Sequence, residues 1–266
     1  MNVNLRLGVD VGGTFTDFAL VDDRDGSVRT HKRLTTPQDP AECVLAGIET
    51  LVRDADVSIS DLGAIVHGTT LITNAVIERK GAVTGMIVTE GFRDVLDVAM
   101  ESRYDLFDMR ITYADPVVPR PARLPVRERL RHDGAVELPL DESSVHAALD
   151  ELVERQNVEA LAICLLHSYV NPVHEHRIAE IARARYPSLP LCSSADVVPV
   201  MREYDRWSSA TVNAYTQPLA SRYLGRLERD LSERSFGGAF LIMTSSGGTV
   251  TPAQAATFPV RLIESG

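Results

Sequence analysis

Residues 8–22 read GVDVGGTFTDFALVD, two strand-forming runs joined by a Gly-Gly pair, with an aspartate just before the turn. A chain that begins this way begins with a hairpin. Leu5 to Val9 and Thr14 to Val21 pair across Gly12-Gly13, and the turn signal DRDG at Asp23 to Gly26 lets Val28 to Thr35 continue an antiparallel meander. A plain hairpin needs only a turn, so the extra chemistry asks for a reason. Glycine has no Cβ to hold a ligand off, so the N–H groups of Gly12, Gly13 and Thr14 can point at the oxygens of a polyphosphate. Hydroxyls at Thr14 and Thr16 can donate to the same oxygens. Asp10 suits a magnesium ion, which dehydrates reluctantly and takes few protein ligands. The competing reading is a primed turn with a solvated Asp10. The chain holds neither GxxxxGK[ST] nor a strand-GxGxxG-helix run, so no other phosphate motif competes.

The 266 residues are enough for one large α/β domain or two smaller lobes. Lys plus Arg number 27 against 37 Asp plus Glu, a net charge of −10, and no basic run outlines a phosphate-tracking surface, so nucleic acid is excluded as the expected partner. The cysteines Cys43, Cys164 and Cys192 are widely spaced, without a CxxC pair, which suggests neither a disulfide framework nor zinc and fits a reducing cytoplasm. No apolar run approaches the roughly 18 to 20 residues of a membrane span, and the N-terminus has no leader pattern. A soluble, cytoplasmic chain is expected.

Beyond the meander, Asp39 as N-cap and Pro40 in the first turn open a helix with Val44, Leu45, Ile48, Leu51 and Val52 on one face. Residues 63–81 start as a buried strand and turn helical after Thr69 and Thr70, and Val83 to Thr89 reads as the next strand. Between about Gly91 and Asp141 the sequence is irregular, with four prolines from Pro116 to Pro125, and reads as an inserted subdomain or long connection. A helix from Asp141 to Gln156, a doubly buried parallel strand from Val158 to Leu166 and a helix from Asn171-Pro172 to about Tyr186 follow. A long helical region from Val200 to about Arg234 is expected to break or kink at Pro218. A last strand, Ala239 to Thr244, ends in SSGG.

GVDVGGTFTDF resembles the first phosphate hairpin of the actin, Hsp70 and sugar-kinase superfamily, and its TFTD version is similar to the hydantoinase A and 5-oxoprolinase family. VHGTTLITNAVIERKGA, VTEGFRDVLDVA, LLHSYVNPVHEHR, REYDRWSSATVNAYTQP and LIMTSSGGTVTPAQAATFPVRLIESG resemble the same family in the same order, across essentially the whole chain. The resemblance implies an actin-like, ribonuclease H-like α/β ATPase lobe whose mixed sheet begins in the antiparallel meander, with an inserted subdomain. It implies that most of the second lobe is missing, so that the chain is an N-terminal piece, inactive by itself. The expected division is an N-terminal hydantoinase/oxoprolinase domain over 1–200, with the insertion at about 91–140, and the start of an ATPase-like domain over 201–266.

The implied activity is ATP-dependent opening of a cyclic amide, with ATP and Mg²⁺ as cofactors. A second hydantoinase B-type subunit or domain is the implied partner, and homo-oligomers are possible. Asp10 and Thr14 are the catalytic candidates and Asp10 the metal ligand. Gly12, Gly13, Thr14, Phe15, Thr16, Gly247 and Gly248 are expected to bind the nucleotide, and Thr69 and Thr70 the substrate. An acetone-carboxylase-like ketone carboxylase and a regulatory nucleotide-binding lobe are the alternatives; a sugar kinase fits the hairpin but not TFTD or HGTT. Ser246 stands where the family often has asparagine. Thr69 and Thr70 can equally cap a helix. His174 and His176 at i, i+2 read as solvated surface, His167 as a hydrogen-bonded structural histidine, Arg202 to Arg206 as an exposed ion-paired face and Cys164 as a buried inert thiol.

Overall fold

The structure, a computed structural model, describes residues 4–36, 38–100, 107, 108, 110 and 113–264. The chain forms two compact units, Met1–Lys80 with Leu219–Gly266, and Gly81–Pro218.

In the first unit, β1 (Leu5–Val11), β2 (Phe15–Asp22) and β3 (Ser27–Leu34) form the antiparallel meander that the turns dictate. The Gly12 N–H bonds the Phe15 carbonyl at 2.9 Å, and Gly26 closes the second turn at φ +73° onto Asp22. Helix α1 (Pro40–Asp54) starts where Asp39 accepts the Glu42 N–H and sets Val44, Ile48 and Leu51 into the core. Gly47 lets it close on the sheet: a Cβ there would lie 2.0 Å from the Phe18 ring. Strand β4 (Leu62–Thr69) runs parallel to β1 and leads into α2 (Leu71–Ile77).

The second unit is built on a parallel sheet ordered β10-β9-β5-β6, from β5 (Thr84–Thr89), β6 (Arg123–Val126), β9 (Ala160–Cys164) and β10 (Leu191–Ser193). All of β9 is buried, as its unbroken apolar run requires. The stretch expected to be irregular holds more order than its prolines suggest: a one-turn helix α3 (Val95–Val98), strand β6 and a small hairpin of β7 (Arg129–Leu130) and β8 (Val136–Leu138). Helix α4 (Glu142–Leu149) continues through a π-helical turn to Arg155, α5 (Val173–Arg185) packs on the sheet, and α6 (Ser194–Val197) follows β10.

Helix α7 (Glu203–Glu233) belongs to the second unit up to Pro218 and to the first from Leu219 onward. Pro218 does not end it. The proline supplies no N–H to the Ala214 carbonyl one turn back, and the neighbouring Tyr215 carbonyl takes the Ala82 N–H at 2.9 Å. The later turns of α7 put Tyr223, Leu224, Leu227 and Leu231 into the first core. Strand β11 (Ala239–Met243) then pairs parallel with β4, β12 (Thr249–Val250) turns back on it, and α8 (Pro252–Thr257) leads to a 3₁₀ turn at Pro259–Leu262. The first sheet is thus mixed, ordered β12-β11-β4-β1-β2-β3. Among the described residues no helix is long and apolar enough to cross a membrane.

Two polar readings change. His174 is buried at 6% exposure, with Nδ1 2.8 Å from the Glu128 carboxylate, whereas His176 is exposed beside Asp196 at 3.0 Å. The i, i+2 spacing does separate two faces of α5, but the inner one packs on the sheet and meets a carboxylate remote in sequence. Arg206 is not on an exposed face either. It is fully buried and donates to the carbonyls of Leu165 and Val200 at 2.9 and 2.7 Å and to the Ser194 hydroxyl at 3.1 Å. Buried Glu175 completes that network, accepting from the N–H groups of Leu165 and Ala195 and the hydroxyls of Ser193 and Ser194. His167, expected to be hydrogen-bonded, has φ +55° and a buried Nδ1 that finds no partner among the described residues. Cys164 is buried, and burial raises its thiol far above the usual range.

Candidate functional site

Because β4 runs parallel to β1 on one side and to β11 on the other, the residues after Val11, Thr69 and Met243 all leave the same edge of the first sheet. That edge is where open α/β sheets place ligands. The first turn over it is the hairpin tip. Gly12 is tight, since a Cβ would meet the Phe15 carbonyl oxygen at 3.0 Å, while a Cβ on Gly13 would find only Asn74 Nδ2 at 3.7 Å. Gly13 and Thr14 are exposed. The tip is braced from behind: the Thr35 N–H donates to the Thr14 carbonyl and the Thr35 hydroxyl to the Gly12 carbonyl, each at 2.9 Å.

The second turn is the HGTT corner. Thr70 donates both its N–H and its hydroxyl to the Val11 carbonyl, at 3.0 and 3.1 Å, which fastens the corner to the hairpin. Asn74 Nδ2 reaches the Thr70 hydroxyl at 3.3 Å, and Thr69 Oγ1 accepts the Leu71 N–H at 3.2 Å in an ST turn, while Thr70, at the N-cap of α2, makes no side-chain capping bond. His67 points the other way. Fully buried, it meets the Tyr223 hydroxyl at 2.9 Å through Nε2, while Nδ1 finds no partner among the described residues. Burial pulls its pKa down to about 4, so it stands neutral as a core residue.

The third turn joins β11 to β12. The Thr244 N–H donates to the Gly248 carbonyl at 2.8 Å and the Thr244 carbonyl accepts the Gly247 N–H at 3.0 Å, Gly247 sits at φ +87°, and both glycines are exposed. Ser245 bonds the Arg261 carbonyl at 2.7 Å and also the Ile263 carbonyl, which holds the C-terminal turn beside this loop.

Asp10, Gly12, Gly13, Thr14 and Thr70 are therefore gathered around the hairpin tip, with Gly247 and Gly248 on the same edge beyond β4, whereas Thr69, expected to meet the substrate, is 1% exposed and its hydroxyl faces Tyr223 in the core, on the same side of β4 as His67. Thr16 is set apart. It is fully buried with its hydroxyl 3.0 Å from that of Thr35, so its side chain faces the core. Phe15 is 43% exposed under the Lys32 ammonium, 5.1 Å from its ring centre.

Register adds a residue that the sequence reading passed over. Asp10 pairs directly with Asp17, so both carboxylates project from the same sheet face, and Lys32 lies 3.0 Å from Asp17. Like charges directly opposite repel unless a cation lies near. The two-residue turn between Gly12 and Phe15 fixes that register and would have revealed the pairing. Both aspartates line an open depression of about 740 Å³ floored by Gly8, Ala19 and Val66. Among the described residues no cluster of three or more His, Cys, Asp or Glu side chains is placed to hold a metal ion. An exposed carboxylate beside a turn rich in N–H donors still fits magnesium, which takes one or two carboxylates and completes its shell with water and phosphate.

A mixed α/β sheet with glycine turns on one edge defines the class, and comparison with known proteins gives the family. Residues 6–186 match the hydantoinase/oxoprolinase N-terminal region and residues 206–266 match hydantoinase/oxoprolinase. The chain belongs to the hydantoinase/oxoprolinase family. It is 36% identical to caprolactamase subunit alpha of Pseudomonas jessenii over 98% of this chain and 38% of that one. It is 31% identical to the acetone carboxylase beta subunit of Xanthobacter autotrophicus, over 92% of this chain and 36% of that one. The crystal structure of ATP-dependent caprolactamase from Pseudomonas jessenii superposes with a TM-score of 0.90 at 35% identity, covering 98% of this chain and 38% of that chain. Nucleotide-free acetone carboxylase gives 0.87 at 29%, covering 98% and 39%. The chain thus spans less than two fifths of the length of these relatives.

Proposed function

We propose that this chain supplies the phosphate-gripping lobe of a cytoplasmic, ATP-dependent enzyme that opens cyclic amides of the 5-oxoproline, hydantoin or lactam type, acting with a second hydantoinase B-type subunit or domain. The gathering of three glycine- and hydroxyl-bearing turns on one sheet edge beside Asp10 carries the reading. The 1–200 and 201–266 sequence domains are part of the same proposal.

An unstrained amide is a poor electrophile. ATP, when bound, supplies a phosphoryl group that the amide carbonyl oxygen accepts as ADP departs; water then adds to the activated carbon, inorganic phosphate leaves, and the ring C–N bond breaks to give a carboxylate and a protonated amine, with Mg²⁺, when bound, able to offset phosphoryl charge. The work left to the protein is positioning and electrostatics. Gly13 and Thr14 are exposed on a tip braced by Thr35 and can offer their N–H groups to a phosphate, whereas the Gly12 N–H is spent on the Phe15 carbonyl and cannot. The Thr14 hydroxyl and the Gly247–Gly248 backbone add donors. Asp10 would hold a magnesium ion through its water shell, and Asp17 beside it adds negative charge that Lys32 partly offsets. Thr70, fastened to Val11, keeps the substrate-side corner in register with the tip. Thr16 serves through the Thr35 contact that braces the tip.

The likeness to an acetone carboxylase subunit favours one rival, carboxylation of a ketone. Mg²⁺-dependent ADP release by the protein with its partner subunit separates the two. Stimulation by 5-oxoproline, hydantoins or lactams without bicarbonate supports amide opening. Stimulation only by ketones with bicarbonate supports the carboxylase, and stimulation by neither leaves a regulatory nucleotide-binding lobe.

A further inference from the structure

Hairpin register sets three charged side chains of the first unit in a row. Asp10 of β1 lies opposite Asp17 of β2, and Asp17 lies opposite Lys32 of β3, so all three leave the same face of the first sheet. Each is exposed, and all three line the open depression beside the hairpin tip. The Lys32 ammonium stands 3.0 Å from Asp17 Oδ1 and 5.1 Å from the centre of the Phe15 ring. Phe15 is the first residue of β2 after the tip, so the ammonium lies toward the tip end of the meander. The other basic residues of these strands are engaged elsewhere. Arg29 and Arg33 alternate to the opposite face of β3, where Arg29 donates to the Asp54 carbonyl at 2.9 Å, and Arg6 is taken by Asp23 at the far end of β1.

The present partner of Lys32 is a weak one. The Lys32 and Asp17 side chains are 57% and 53% exposed, and an ion pair so open to water contributes little. A single ammonium also cannot neutralise two carboxylates set directly opposite each other, and Asp10 has no ion pair of its own among the described residues. The row is left with negative charge in excess, which draws a further cation to the Asp10 side. With that cation in place Asp17 no longer needs the ammonium, and the flexible lysine stem can turn it to anionic oxygens at the tip. Gly13 and Thr14 offer N–H donors there but no full positive charge.

We propose that Lys32 is a phosphate-binding residue of the nucleotide site, held on Asp17 until a polyphosphate takes it over, which rests on the nucleotide-gripping reading of the first unit and not on the bond the enzyme opens. Lysine suits the task as a point charge that meets phosphate without a fixed geometry. Asp17 is then a positioning residue that keeps the ammonium on this face between ligands.

The test is isothermal titration calorimetry of ATP, inorganic tripolyphosphate and adenosine, with and without Mg²⁺, on the protein with its partner subunit as wild type, Lys32→Met, Lys32→Arg and Asp17→Asn. Lys32 lies on an exposed edge strand outside the core, and urea unfolding checks the fold of each variant. The expected result is about tenfold or more weaker binding of ATP and tripolyphosphate in Lys32→Met, with adenosine unchanged and most of the loss recovered in Lys32→Arg. Asp17→Asn, which frees the ammonium, should bind tripolyphosphate without Mg²⁺ at least as tightly as the wild type. ATP bound equally well by the wild type and Lys32→Met, or an equal loss for ATP and adenosine, would overturn the role of Lys32 and leave the nucleotide reading intact. Tripolyphosphate bound through Lys32 by a protein that takes up no ATP would keep Lys32 as an anion-binding residue and overturn that reading instead, and binding of neither by the wild type would overturn both.

Discussion

Acidification should weaken the first unit through one residue, His67. Its pKa is drawn from 6.5 to about 4 by burial, so the folded protein holds that proton less tightly than the unfolded chain does. Stability is therefore full above about pH 6.5, falls as the pH drops through the unfolded value, and the loss is complete below about pH 4. At about 1.4 kcal/mol per unit the whole effect is about 3 kcal/mol, of which about 2 kcal/mol is gone by about pH 5. The assay is urea unfolding at about pH 7.5 and about pH 5, comparing the wild type with His67→Gln and Tyr223→Phe. The glutamine variant should lose about 2 kcal/mol less on acidification than the wild type. Tyr223→Phe, which removes the hydroxyl at His67 Nε2, should be weaker at both pH values by about 1 to 3 kcal/mol yet keep the wild-type pH response. An identical response in His67→Gln would refute the argument and show that His67 is charged or solvated in the folded state.

Further outcomes follow from packing and polar burial. Gly47→Ala should destabilise by about 2 kcal/mol in thermal or urea unfolding, because the clash with Phe18 outweighs the helix-propensity gain of up to about 1 kcal/mol. Glu175→Ala leaves two N–H groups and two hydroxyls without their carboxylate and should cost about 3 kcal/mol or more by the same assay. The three cysteines are buried, and burial pushes the Cys192 thiol up to about 12, so a thiol reagent at mildly alkaline pH should label none in the native protein and all after denaturation.

What was legible in the sequence is what local chemistry decides. Gly-Gly between alternating strands announced the hairpin, Asp39-Pro40 the start of α1, and the apolar run around Cys164 a central parallel strand. What escaped depends on partners remote in the chain. Nothing near Arg206 or Glu175 shows that they meet at Ser194, and nothing near His174 points to Glu128. Pro218 does not break the helix, which runs unbroken from Glu203 to Glu233, since the turns beyond it are held by burying Tyr223, Leu224, Leu227 and Leu231 in the first core. Thr16 and Asp17 are a different case. The hairpin register alone places Thr16 opposite Val11 on the core side and Asp17 opposite Asp10 on the open side. Attention to hydroxyl chemistry put Thr16 at the ligand and passed over the aspartate beside it.

The most direct test of the central claim is Mg²⁺-dependent ADP release by the protein and its partner subunit, wild type against Asp10→Ala, with the cyclic amide that stimulates the wild type most. Loss of ADP release in a variant with unchanged unfolding behaviour is the predicted result. Wild-type turnover in Asp10→Ala would remove this sheet edge from the chemistry and contradict the account.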